Sequence, residues 1–183
     1  MRTTTFLLAA GFGWFCVSAA VAGEPARPMA EMHGDCANYL TNIGPDLALW
    51  GRPFESVTAS AESAKAATAP LEKRLRLSLK PHPQVRFPAP PEQMRGAADK
   101  FSGLIAITTN TAGAYRLSAS NGLWLDVVGP EGVIASRTFE MQTKCDRIFK
   151  TVTYDLPANT SLIVQLNGGS TPEVDLLVHR IAR

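Results

Sequence analysis

The stretch AYRLSASNGLWLDVV, Ala114–Val128, sets the reading of this chain. Apolar and polar residues alternate on both sides of Asn121-Gly122, the period of a half-buried strand. An Asn-Gly pair between two such runs is the strongest short hairpin signal, because a type I′ turn needs positive φ at both central residues. The expectation is a β-hairpin with strands Ala114–Ser120 and Leu123–Val128.

The same grammar recurs on either side. Leu75, Leu77 and Leu79 alternate with Arg74, Arg76 and Ser78. Phe101–Thr109, Gly132–Arg137, Arg147–Leu156, Ser161–Asn167 and Glu173–Ile181 are further short runs separated by Gly-, Pro- and Asn-containing turns. Gln84–Phe87 reads as a short edge strand, since Pro81, Pro83 and Pro88 exclude a central one. The pattern predicts a mainly β fold, an antiparallel, jelly-roll-like β-sandwich of about seven to nine strands.

Upstream the period is lost. Met1–Ala22 reads as a secretory signal peptide, with Arg2 as the positive end, Phe6–Val17 as the apolar stretch and Ala20-Val21-Ala22 as the cleavage site. The alternative, a membrane anchor, needs a run of ~20 apolar residues, and Gly11 and Gly13 interrupt this one. Residues 23–70 read as an N-terminal arm and an Ala-rich linker or loose helix. Within them, Pro45, the cluster Leu47, Leu49 and Trp50, and the stop Gly51-Arg52-Pro53 predict a single helical turn, with Trp50 as the anchor that docks the arm. Residues 71–183 form the β domain.

The 183-residue chain is 45% hydrophobic, enough to build a core, and carries a net charge of only +2. Such a balance is no electrostatic footprint for nucleic acid. No apolar run after residue 22 is long enough to span a bilayer. Removal of the leader takes Cys16 with it and leaves Cys36 and Cys145. In an oxidising compartment such a pair is most simply a disulfide. The alternative is two thiolate metal ligands, although neither has a C-x-x-C partner. If Cys36 joins Cys145, the arm is pinned across one end of the sandwich.

Few residues point to chemistry. Asp126 sits on a strand that is otherwise apolar on both faces, and a buried carboxylate needs a partner. Lys150 and Arg147 are the expected ion-pair partners. The alternative role, one of two catalytic carboxylates, lacks a second acid at a similar position. There is no G-x-S-x-G elbow and no phosphate-binding loop. His33-Gly34-Asp35 has the H-x-D spacing of a facial triad, and His82 and His179 complete the histidines. Met29, Met32, His33 and Cys36 together make a soft set of the kind that suits Cu(I).

Tyr115-Arg116, Trp124-Leu125-Asp126-Val127-Val128 and Cys145-x-x-Ile148-x-Lys150, with the closing strands, resemble a group of small exported proteins of Gram-negative bacteria. The resemblance spans Leu71–Arg183, with a looser echo from Cys36 to Trp50. Members of this group often carry the label homogentisate 1,2-dioxygenase. That label implies a non-haem iron held by two histidines and a carboxylate. More distantly, the β domain is similar to prepeptidase C-terminal-type domains, which are binding or accessory modules.

The expected protein is therefore periplasmic or secreted and acts by binding, without catalysis and without a cofactor. Its expected partner is an envelope or extracellular polysaccharide or protein. A non-haem iron dioxygenase and a copper-binding protein, with His33, Asp35 and Met32 as metal candidates, are the alternatives.

Overall fold

A computed structural model describes residues 32–181, so the expected leader, Met29 and the first part of the arm lie outside the described residues. The chain is mainly β. Its strands are β1 (Glu55–Thr58), β2 (Arg74–Ser78), β3 (Lys80–Pro81), β4 (Phe101–Thr109), β5 (Gly113–Ala119), β6 (Trp124–Gly129), β7 (Gly132–Ile134), β8 (Thr138–Met141), β9 (Lys150–Leu156), β10 (Thr160–Gly169) and β11 (Glu173–Arg180). One short helix, α1 (Gly44–Trp50), precedes them.

The strands form two sheets. One has six strands in the order β1-β2-β11-β5-β9-β8, and the other five in the order β3-β4-β10-β6-β7. All pairings are antiparallel except β1 with β2. Alternation along each strand decides what faces the core. Tyr115, Leu117 and Ala119 of β5, Val152, Tyr154 and Leu156 of β9, and Val174, Leu176 and Val178 of β11 share one apolar cluster. Ile105, Ile107, Leu125, Val127, Leu162, Val164 and Leu166 of the other sheet belong to the same cluster.

The topology corrects the hairpin reading of Asn121-Gly122. β5 lies between β11 and β9 in one sheet, whereas β6 lies between β10 and β7 in the other. The Asn-Gly pair is thus a crossover between sheets. Neither residue has positive φ, so no type I′ turn forms. The Asn121 side chain instead accepts a hydrogen bond from the Leu123 amide at 3.2 Å, and Leu123 enters the core. A true hairpin lies at Gly129–Gly132, where β6 and β7 pair and Gly132 takes φ +115°.

Two further expectations are corrected. Ser56–Pro70 is neither linker nor helix beyond one 3-10 turn at Ser63–Lys65. It begins inside β1, then runs along the outer edge of β4 through bridges from Ser60 to Leu104 and from Thr68 to Ala106. Its small side chains make this possible. A Cβ on Gly103 would lie 2.5 Å from Ala59 Cβ, and Ala59 and Ala69 are buried. The segment covers a sheet edge that would otherwise offer free backbone groups. Gln84–Phe87 is likewise no strand. His82–Gln84 is a 3-10 turn, and only Arg86 bridges, to Glu62.

The arm adds a layer. Pro45 starts α1 and the Gly51 amide closes it on the Leu47 carbonyl, at the place the sequence predicts, although its 7 residues make more than the single turn expected. Trp50 is buried with Tyr39, Ile43, Ile148, Cys145 and Leu177 in a second apolar cluster. Leu177 belongs to the face of β11 opposite the main core, so the arm lies on the outer face of the six-stranded sheet, not across an end. The sulfurs of Cys36 and Cys145 lie at bonding distance, with Cα atoms 4.5 Å apart. Among the described residues no helix is long and apolar enough to cross a membrane.

Candidate functional site

The chemistry-bearing residues fall into three places. The first is a cleft of about 270 Å³ where β6, β8 and β9 meet the loop before β4, lined among others by Trp124, Phe139, Lys150, Arg95, Glu92 and Ser136. It exists because β7 pairs with β6 only from Val127 onward. The carbonyls of Leu123 and Leu125 are capped instead from the six-stranded sheet: Lys150 Nζ donates to Leu123 at 2.7 Å and Tyr154 Oη to Leu125 at 2.8 Å. Lys150 shares the inward face of β9 with Val152 and Tyr154, which places an ammonium at the end of the apolar core.

The expected ion pair between Asp126 and Lys150 or Arg147 is not formed. Asp126 is fully buried on the outer face of the five-stranded sheet. Its carboxylate accepts from Trp124 Nε1 at 2.7 Å, from Gln165 Nε2 at 3.3 Å and from the Glu92 amide. Neutral donors on the same face meet the need for partners. Trp124 stands two residues away on the same strand, the spacing that puts both side chains on one face. Burial still pushes the Asp126 carboxyl above its ordinary value, against those hydrogen bonds. Arg147 lies outside this site, 3.6 Å from Asp146, with both side chains exposed.

Lys150 carries the cleft's electrostatics. It is 3% exposed, and burial, reinforced by the Arg95 charge, lowers it to about 8 against the pull of Asp126. Its Nζ lies 5.4 Å from the ring centroids of both Trp124 and Phe139, and the Arg95 guanidinium lies 5.2 Å from Trp124. Both distances are within cation–π range. Arg95 also donates to Gln93 Oε1 at 3.1 Å. Among the described residues neither cation forms an ion pair with a carboxylate. Burial, then the Asp126 charge, raises the Glu92 carboxyl.

The loop that supplies Glu92 and Arg95 is fastened to β6 and β10. Ala89 N–H donates to Gln165 Oε1, and Asn167 Nδ2 donates to the Gln93 carbonyl. Gly168, at φ +77°, leaves room for the Arg95 backbone, since a Cβ there would meet the Arg95 carbonyl oxygen at 2.5 Å. Arg95, Glu92 and Phe139 carried no signal of periodicity or spacing in the sequence. Their role depends on a loop fold and a sheet crossover.

The second place is under the arm. Asp46, fully buried, accepts from Arg116 Nη1 at 2.7 Å on Oδ2 and from Ser118 Oγ at 2.9 Å on Oδ1, and His179 Nδ1 stands 3.5 Å from the same Oδ2. The pair with His179 is an ionic contact without good hydrogen-bond geometry, since Nδ1 has no bonded partner.

The third is the disulfide end. His33 Nδ1 pairs with Thr143 Oγ1 at 3.0 Å, Asp35 caps the 3-10 turn Cys36–Asn38 by accepting from the Ala37 amide, and the Met32 carbonyl accepts from Thr143 N–H. His82 pairs with Ser102 and His179 with Asp46. The three histidines therefore stand apart, each with its own neighbours. Among the described residues the only threefold group of potential ligands is Cys36, Cys145 and Asp146, and its two sulfurs are joined to each other.

No protein-family model matches the chain, and no curated protein is significantly similar to it.

Proposed function

We propose that this protein is an exported, non-catalytic binding or envelope accessory protein built on a β-sandwich, and that the Trp124–Lys150 cleft is where it meets its ligand. The sandwich reading rests on the apolar cluster drawn from both sheets. Export, to the periplasm or beyond, rests on the leader-like Met1–Ala22 and on the bonded cysteine pair, which an oxidising compartment preserves. Likeness to small exported Gram-negative proteins and to prepeptidase C-terminal-type domains points the same way.

One observation carries the binding role: two cations without a carboxylate partner stand beside two aromatic rings in one cleft. Its border is apolar as well. Met94 and Phe139 are 65% and 43% exposed, and Met94 adjoins Gln93 and Arg95, which line the cleft. Convergent polar groups in a partly apolar recess are the usual form of a ligand site. The iron and copper alternatives draw less support, since His33, Asp35 and Cys36 each serve local structure.

The test is a titration of the ¹⁵N-labelled mature protein with neutral and acidic oligosaccharides and with peptides, read at the Trp124 indole N–H. A saturable shift there supports the reading. A panel in which every shift lies elsewhere, or none occurs, overturns it.

A further inference from the structure

The side chains of the cleft differ in what they need. Lys150 has three N–H donors, of which one is given to the Leu123 carbonyl, and its charge is opposed by no carboxylate within ion-pair distance. Arg95 likewise reaches only the neutral Gln93 amide. These two sites call for an oxyanion. Glu92 and Ser136 line the same cleft and call for hydroxyl partners, Glu92 as an acceptor. Asp126 cannot serve, because Trp124, Gln165 and Glu92 N–H already occupy its carboxylate. Trp124 and Phe139 supply flat walls of the kind that cover the C–H face of a sugar ring. The volume of about 270 Å³ lies just below the roughly 300–1,000 Å³ of sites for drug-sized ligands. It therefore encloses one ring and its substituents.

We infer that the cleft binds an acidic sugar, a hexuronate unit, with its carboxylate between Lys150 and Arg95, its ring against Trp124 and its hydroxyls on Glu92 and Ser136. This rests on the reading of the cleft as the binding site and assigns the chemistry of its ligand. A simple aromatic acid satisfies the cations and leaves Glu92 and Ser136 without partners. A neutral sugar does the reverse. A ligand with both functions engages all four side chains at once, with charge-assisted bonds at the cations, and is preferred to either.

The experiment compares galacturonate and trigalacturonate with galactose, galactotriose and benzoate as probes of the mature protein, read at the Trp124 indole N–H. The uronates are expected to saturate the signal with an affinity roughly tenfold or more above the neutral sugars and benzoate, as expected for charge-assisted hydrogen bonds. Arg95→Gln, at an exposed position that leaves the core intact, weakens uronate binding several-fold. Affinity also falls as pH is raised through about 8, where Lys150 loses its proton. Galactose or benzoate binding as tightly as galacturonate, or a peptide moving the indole where uronates do not, overturns the acidic-sugar assignment and leaves the cleft as a binding site. If no probe moves the indole, both fall.

Discussion

The Trp124 indole donates to Asp126 at 2.7 Å, joining the cleft wall to a carboxylate buried beneath the Ala89–Arg95 loop. One ring thus faces the cleft while its N–H is anchored on the outer sheet face. Asp126→Asn keeps the shape but turns an amide N–H toward groups that all donate. The expected cost is ~1–2 kcal/mol, as for a mismatched buried hydrogen bond, read as a lower melting temperature. Unchanged melting would show that the carboxylate is dispensable for the fold.

Gly168 positions Arg95 by its lack of a side chain. Gly168→Ala places a Cβ 2.5 Å from the Arg95 carbonyl at a residue with φ +77°. Strain of order 1–3 kcal/mol at such a position is expected to lower the melting temperature and to displace Arg95 from Trp124. The second effect is measured as a changed Trp124 emission while Trp50 stays constant. Emission identical to that of the unchanged protein would mean that the loop does not depend on Gly168.

The disulfide closes a loop across a sequence separation of 109 residues. In the chain-entropy model a loop of that size contributes up to ~4–5 kcal/mol. Glu140 holds the same arm by accepting from the Leu40 and Thr41 amides, each at 2.9 Å, and from the Thr41 hydroxyl. Reduction is expected to lower the melting temperature by several degrees or more. Glu140→Ala is expected to raise the hydrogen-exchange rates of the Leu40 and Thr41 amides. Exchange at those amides matching the unchanged protein would contradict the role given to Glu140.

Stability should depend on pH through His179 and Asp46. The Asp46 contact, against the opposing effect of burial, holds His179 above its ordinary 6.5; Glu72 adds to the rise and Arg116 opposes it. Its contribution is therefore complete below about pH 6.5 and is lost as pH rises through the folded-state value. Burial alone would raise Asp46, but His179, Arg116 and Ser118 more than offset it and hold the carboxyl below its ordinary 3.8. That contribution is present above about pH 4 and is lost as pH falls through the folded-state value. Lys150, lowered to about 8, acts with the opposite sign, so stability recovers as pH rises above its folded-state value. Melting temperature is expected to fall from about pH 6 to about pH 8, and less steeply in His179→Gln. Equal slopes in the two proteins would place the pH dependence elsewhere.

Much of the fold was legible because strand alternation depends only on local sequence. Phe101–Thr109 is β4 to the residue, and α1 follows from Pro45, Trp50 and Gly51. What local sequence lacks is which sheet a strand joins. Ala114–Ser120 and Leu123–Val128 alternate alike whether they pair with each other or face each other across a core, and Asn121-Gly122 serves a crossover as well as a hairpin. The same limit hid the site. Lys150 and Asp126 were visible as charges in apolar strands, but on opposite faces of different sheets they cannot pair directly. Arg95 and Glu92 come from a loop whose position is set by Asn167, Gln165 and Gly168, far along the chain. Asp46 on α1 gave no hint that it is buried against Arg116 and Ser118 of β5.

The central claim is that the Trp124–Lys150 cleft binds the ligand, and the most direct measurement is the Trp124 indole N–H in a ¹⁵N spectrum of the mature protein during titration with oligosaccharides and peptides. The account predicts a saturable shift of that resonance, weakened in Arg95→Gln, with the Trp50 indole unmoved. A bound ligand that shifts Trp50 or other regions and leaves Trp124 in place would contradict it.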